Sequence, residues 1–144
     1  MLPTVFDEHG TQRLAAWRQF RQSLEISETP LQDVAKLWTH APFVSSYLDP
    51  QIPTEWPDPW HLMLDLRLDD LALVLGMLYT IKLTQRFSQT VCEIHMSMSP
   101  ENNPTQYLLL VDNFYVLNLD HGLVVEKQRL DSLDTKTIYS VSSL

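Results

Sequence analysis

Apolar residues fall into two successive rhythms along this chain, a three-to-four spacing up to about residue 83 and an alternating one from residue 91. Between residues 9 and 26, Leu14, Trp17, Phe20 and Leu24 recur with Arg and Gln between them, which predicts an amphipathic helix with one buried stripe. A second helix is predicted to begin at Thr29. Its hydroxyl can cap free backbone N–H groups, Pro30 suits the first helical position, and Gln32 stands at the reciprocal capping-box position. Val34, Leu37 and Trp38 supply its buried side. Pro42 ends or bends it, and Phe43–Leu48 reads as one further turn.

The segment Asp49–Pro59 holds four of the nine prolines and can be neither a regular helix nor a central strand, because each proline lacks a backbone donor. Ile52, Trp56 and Trp60 make a solvated tether a poor description. A rigid connector laid over the core is the expectation. Asp58-Pro59 then repeats the cap-plus-proline pattern and starts a short helix over WHLML. The principal helix follows at 68–83, with Asp69 and Asp70 in its first turn, where carboxylates favour the positive end of the helix dipole. Leu71, Val74, Leu75, Leu78 and Tyr79 form its main face, and Leu73, Met77 and Ile81 widen it nearly all round, so it is expected to be central. Gly76 in its middle costs up to about 1 kcal/mol against Ala, which predicts close packing at that point.

From residue 91, Cys92, Ile94, Met96 and Met98 alternate with Val91, Glu93, His95 and Ser97, the period of a strand. Tyr107–Val111 and Phe114–Asn118 flank Asp112-Asn113, a two-residue hairpin turn whose residues tolerate positive φ. Asp120-His121-Gly122 turns the chain into Leu123–Glu126, and Thr137–Val141 is expected to add a last strand at an edge. The predicted fold class is α+β: N-terminal helices and a central apolar helix packed on an antiparallel sheet of four to five strands. Residues 1–144 are expected to form one domain, helical over 1–86 and sheet over 87–144.

Charge narrows the choice of partner. The formal net charge of −8 disfavours a nucleic-acid phosphate backbone, and the only basic cluster, Arg13, Arg18 and Arg21, reads as a solvated helix face. Arg67, Asp69, Asp70 and Lys82 limit the apolar run to about a dozen residues, below the roughly 18–20 of a membrane span. The N-terminus lacks the pattern of a secretory leader, and a lone cysteine is compatible with a reducing compartment, so a cytoplasmic protein is expected.

Candidate chemistry is sparse. Cys92 is the only possible thiol nucleophile, yet it sits on the more apolar face of a strand, which raises a thiol pKa, with His95 on the opposite face. His9, His40, His61, His95 and His121 form no metal-ligand spacing; His61 with Asp65 and Glu93 with His95 are pairs too common to specify a site. Asp120-His121 reads as turn chemistry before Gly122, and three glycines cannot build a phosphate-cradling loop. Trp38, Trp56 and Trp60, with Tyr47 and Phe43, cluster in or near the proline-rich connector, where aromatic side chains serve either as a roof over the core or as interface anchors.

From Leu68 to Asn118, about a third of the chain, the order of a helix followed by antiparallel strands resembles the transglutaminase-like core of the papain-like superfamily. That family places a Cys at the start of its central helix, a His on a following strand and an Asp on the next. The start LDDLALVLGM resembles the family's Asp-Cys-x-x-Leu-Ala pattern, but Leu68 to Leu71 include no Cys. Gln106 and Tyr107 stand where the His is expected, and Asn118 where the Asp is expected, with Asp120 close by. The resemblance thus implies a catalytically dead relative kept for its shape. The connector Trp56-Pro57-Asp58-Pro59-Trp60 ahead of such a helix is also similar to that of small proteins of tailed bacteriophages, which implies a virion or accessory role through protein contacts, in the virion or the host cytoplasm.

The resulting expectation is a non-enzymatic structural or protein-interaction protein. A protein partner is expected, a second copy of the chain being one form of it, and no nucleic acid, membrane, cofactor or metal. Trp56, Trp60, Trp38 and Tyr47 are the candidate contact residues. The alternative is a cysteine-dependent hydrolase or acyltransferase using Cys92 with His121 and Asp120. A small-molecule binding module would need a pocket between helix 68–83 and the sheet.

Overall fold

The apolar helix runs through the middle of the fold, as its all-round pattern requires. In the computed structural model, which describes residues 5–44, 48–101 and 104–144, four α-helices precede the sheet: α1 (Gly10–Leu24), α2 (Pro30–Trp38), α3 (Pro59–Asp65) and α4 (Asp70–Lys82). Every α4 residue from Leu71 to Lys82 except Leu73 is buried. Asp69 is its N-cap and accepts a 2.8 Å bond from the Ala72 amide. Asp58 caps α3 in the same way, accepting from the His61 amide at 2.8 Å.

Five strands follow: β1 (Cys92–Met98), β2 (Pro104–Val111), β3 (Tyr115–Leu117), β4 (Val124–Glu126) and β5 (Asp134–Val141). The sheet order is β4-β3-β2-β1-β5 and every pairing is antiparallel. Asp112 and Asn113 both take positive φ, 55° and 54°, as the hairpin reading required. The fold class is therefore the expected α+β, with the helices on one face of a five-stranded sheet.

Cys92, Ile94, Leu109, Val111 and Leu117 face the helices and join their core. Leu108, Leu110 and Val116 face the other way and form a small second cluster, covered by Leu130 from the turn Lys127–Leu130. Among the described residues, core side chains of α4 and the sheet pack against one another where a small-molecule module would need a pocket.

A single hydroxyl organises the helical side of the core. Trp17 Nε1 and Trp38 Nε1 both donate to Thr80 Oγ1, at 3.0 and 3.2 Å, and Thr80 donates in turn to the Gly76 carbonyl at 2.7 Å. One donor and two acceptor sites are all a threonine hydroxyl has, and all three are used. Thr80 thereby ties α1 and α2 to α4. Trp38 crosses α4 directly over Gly76, so close that a Cβ there would lie 2.1 Å from the indole ring.

Two expectations need correction. Thr29 does flank α2, but its side chain makes no cap bond; its hydroxyl donates to Asp33 Oδ1 at 3.0 Å, while Ser27 donates to the other carboxylate oxygen. Gln32 is exposed and the capping box is not formed. The carboxylate of Asp33, one turn into the helix, offers both hydroxyls a stronger acceptor than a backbone amide offers a donor. Second, Arg13 is buried rather than solvated, and donates to the carbonyls of Met63 and Leu64 at the end of α3 at 2.8 and 3.2 Å. The last strand does lie at an edge, as expected; it returns across the sheet to pair with β1, at the edge opposite β4. Of the predicted turn Phe43–Leu48, residues 45–47 lie outside the described residues, and the Val44 amide bonds to the Leu68 carbonyl at 3.1 Å.

Candidate functional site

Cys92 opens β1 on the sheet's inner face and is 0% exposed. Burial pushes its thiol up to about 11, although the attraction of the Lys82 cation pulls the other way. A neighbouring lysine normally activates a thiol. Here burial outweighs the attraction of Lys82, whose ammonium is held by backbone: its three N–H donors are shared among the carbonyls of Phe87 (3.1 Å), Ser88 (3.0 Å), Ser142 (2.7 Å) and Thr90. Burial lowers the lysine's own pKa, with Cys92 opposing. The thiol is therefore protonated at neutral pH.

The other two members of the alternative triad stand elsewhere. Cys92 is level with Val111, at the end of the sheet where β2 turns into β3. Asp120 and His121 lie past Leu117 in the turn at the other end of β3, two strands away from β1. His121 is exposed, and Asp120 pairs with Arg129 at 3.1 Å. The structure does not bring the three together. At the α4 N-terminus, where the family resemblance would place a nucleophile, Asp69 is fully engaged: one carboxylate oxygen caps the helix and the other accepts from the Leu48 amide at 2.7 Å.

Native Cys92 is accordingly expected to resist iodoacetamide at neutral pH and to react once the protein is unfolded in urea. Mass spectrometry of the two samples checks this, and rapid native labelling would revive the thiol-enzyme alternative. Alkali gives a second measurement. Cys92 is raised from its ordinary 9.0 to about 11, and Tyr79, buried and donating to the Pro57 carbonyl at 2.7 Å, from 10.0 to about 12. Both hold their protons longer folded than unfolded, so their contribution is complete below pH 9 and is lost as pH rises through about 11 to 12. The urea midpoint should fall over that window, and Cys92→Ala should remove the part of the fall that begins near pH 9, on the order of 2 kcal/mol. A midpoint indifferent to alkali would contradict this.

Two of the histidines sit against carboxylates. His61 binds Asp58, not Asp65, its Nδ1 lying 2.8 Å from the carboxylate; that hydrogen bond raises the imidazole pKa and helps lower the carboxyl's. His95 Nε2 lies 3.2 Å from Glu93 and 3.2 Å from the Thr137 hydroxyl on the outer face of the sheet. Among the described residues no three His, Cys, Asp or Glu side chains converge on one point.

The four candidate contact residues separate cleanly. Trp38 is 1% exposed and belongs to the core, held by Thr80 and Gly76, so it offers no surface to a partner. Tyr47 lies outside the described residues. Trp56 is half-buried: its Nε1 donates to the Asp49 carbonyl at 2.8 Å and its ring leans on Tyr139 of β5 at 5.3 Å, which staples the connector to the sheet. Trp60, in the first turn of α3, remains 44% exposed.

Around Trp60 is a grouping that the spacing of residues did not reveal. Its ring meets Trp17 edge-on at 5.9 Å, and the Arg21 guanidinium lies over Trp17 at 4.5 Å and near Trp60 at 5.6 Å. Arg21, Arg18 and Leu14 on α1 line an open groove with Trp60. Trp60 and Arg21 are 39 positions apart in the chain, and the Arg13 clamp on the end of α3 helps bring their helices together. Desolvation, then the charge of Arg18, lowers the Arg21 pKa. Its Nε is buried with no hydrogen-bond partner among the described residues.

No family model, curated protein or solved structure matches this chain. No helix among the described residues is long and apolar enough to cross a membrane.

Proposed function

We propose that this protein is a non-enzymatic interaction component whose contacts are made where the start of α3 meets α1, with Trp60 as the anchor. The observation that carries the reading is the unequal fate of the tryptophans: Trp17 and Trp38 are buried, whereas Trp60 keeps 44% of its surface in water on a rigid helix pair. A fixed, half-exposed tryptophan has little entropy left to lose on binding and a large apolar face to cover, which is why tryptophan dominates interface energetics. The buried, protonated Cys92, far from His121 in the sheet, supports a binding rather than a catalytic role. The finer form of the proposal is a degenerate transglutaminase-like body serving as a virion or accessory component of a phage. The helix-then-antiparallel-strand order and the Trp56–Trp60 connector are what support it.

The test is cross-linking in the native host with identification of the captured protein, comparing wild type, Trp60→Ala and Phe114→Ala. Phe114 is an equally exposed aromatic, on the β2–β3 turn. Trp60→Ala should lose the partner while unfolding within about 1 kcal/mol of wild type, and Phe114→Ala should keep it. Sedimentation of the purified protein reports whether the partner is a second copy. A partner retained by Trp60→Ala overturns the reading.

A further inference from the structure

The groove between Arg18, Arg21 and Trp60 carries more than an exposed aromatic. Arg18 and Arg21 are three residues apart on one helix, so they share a face and repel each other. In a chain of net charge −8, the cheap remedy would be a neighbouring carboxylate. Among the described residues neither arginine enters an ion pair; the three pairs found are His61–Asp58, His95–Glu93 and Arg129–Asp120. No acidic residue lines the groove, whose remaining polar positions include Gln19 and Gln22. Two cations are thus kept side by side with no carboxylate partner, Arg18 exposed and Arg21 against the Trp17 and Trp60 rings, where desolvation disfavours its charged form. An incoming carboxylate would relieve that cost, since guanidinium and carboxylate pair through matched hydrogen bonds and gain strength where water is partly excluded.

The geometry points to a specific occupant: an acidic peptide segment of a partner protein, placing carboxylates on Arg18 and Arg21 and an apolar side chain against Trp60. This rests on the reading above that the Trp60 face docks a protein. A peptide suits the charge distribution better than the other common polyanion. The groove offers two arginines on a molecule of net charge −8, with Asp58 two residues before Trp60, so a long phosphate backbone would gain few favourable contacts and work against the overall charge. A segment carrying two or three carboxylates would fit within the favourable area.

Fluorescence anisotropy with labelled short peptides of alternating Glu and Leu, a matched series of Gln and Leu, and a single-stranded oligonucleotide tests the inference. The Glu-Leu peptide should bind, more weakly as salt rises, and at least about tenfold better than its Gln-Leu counterpart. Arg18→Glu should weaken it by about tenfold or more. Gln19→Glu, which leaves both arginines and their packing intact, should weaken it in the same direction and guards against a folding effect. Equal binding of the two peptides, indifference to both substitutions, preference for the oligonucleotide, or no binding at all would each overturn the assignment. If Trp60→Ala still loses its cross-linked partner while the peptides are not discriminated, docking at this face stands and the acidic partner falls.

Discussion

Gly76→Ala is expected to destabilise the protein by about 3 kcal/mol, the upper part of the usual range for an overpacked core. In an exposed helix the same change would stabilise by up to about 1 kcal/mol, because alanine is the better helix former. Here the new methyl would lie 2.1 Å from one atom of the Trp38 ring and 2.6 Å from two others. The ring cannot swing aside freely: Trp38 is 1% exposed, its Nε1 is bonded to Thr80, and Phe6 packs edge-on against it at 5.0 Å. Urea unfolding of Gly76→Ala, Trp38→Leu and the double variant checks this. The two substitutions should be non-additive by more than about 1 kcal/mol, the methyl being tolerated once the indole is gone. A Gly76→Ala protein as stable as wild type would remove the close approach from the account.

Lys82→Met should also cost about 3 kcal/mol, for a different reason. Methionine fills much the same volume but leaves four carbonyls, those of Phe87, Ser88, Thr90 and Ser142, without the donor they share. The loss should be local as well as global. Hydrogen exchange is expected to accelerate over about 87–91 and around Ser142, while the amides inside α4 stay protected relative to the variant's overall stability. Unchanged exchange in both segments would show that the ammonium is not what holds them. Lys82→Arg is not expected to rescue, because a planar fork cannot aim at four acceptors grouped around one point.

Much of this fold is legible in the chain itself. Two of the helix starts are, because Asp58-Pro59 and Asp69 combine a capping oxygen with a following apolar period, and the structure forms both cap bonds. So is the Asp112-Asn113 hairpin, where two residues that tolerate positive φ stand between alternating segments. What is not legible depends on residues distant in sequence. Thr80 reads as a minor polar break in an apolar helix, yet it receives donors from 63 and 42 positions away. Arg13 and Arg21 belong to one basic stretch: the end of α3 accepts hydrogen bonds from the first, while the second lies over Trp17 on its own helix and meets Trp60 only once α3 is in place. Trp38 and Trp60 look alike as aromatics near a proline-rich segment. The difference between core and surface comes from Gly76 opening a slot for one of them. That β5 pairs with β1 and not with β4, each of which has an open edge without it, is likewise a property of the assembled sheet.

That last placement fixes an order of events. β1 carries Cys92 and Ile94 into the core and needs neighbours on both sides, but one of them, β5, is made of residues 134–141. During synthesis β2 can pair with β1 as soon as it emerges, whereas the other flank of β1 stays bare while about thirty further residues are added. Lys82, already in place at the end of α4, then closes on Ser142 beside the arriving strand. A ribosome stalled shortly before residue 134 would therefore hold a chain whose most hydrophobic helix rests on a half-flanked strand, the kind of species that pairs with the wrong neighbour.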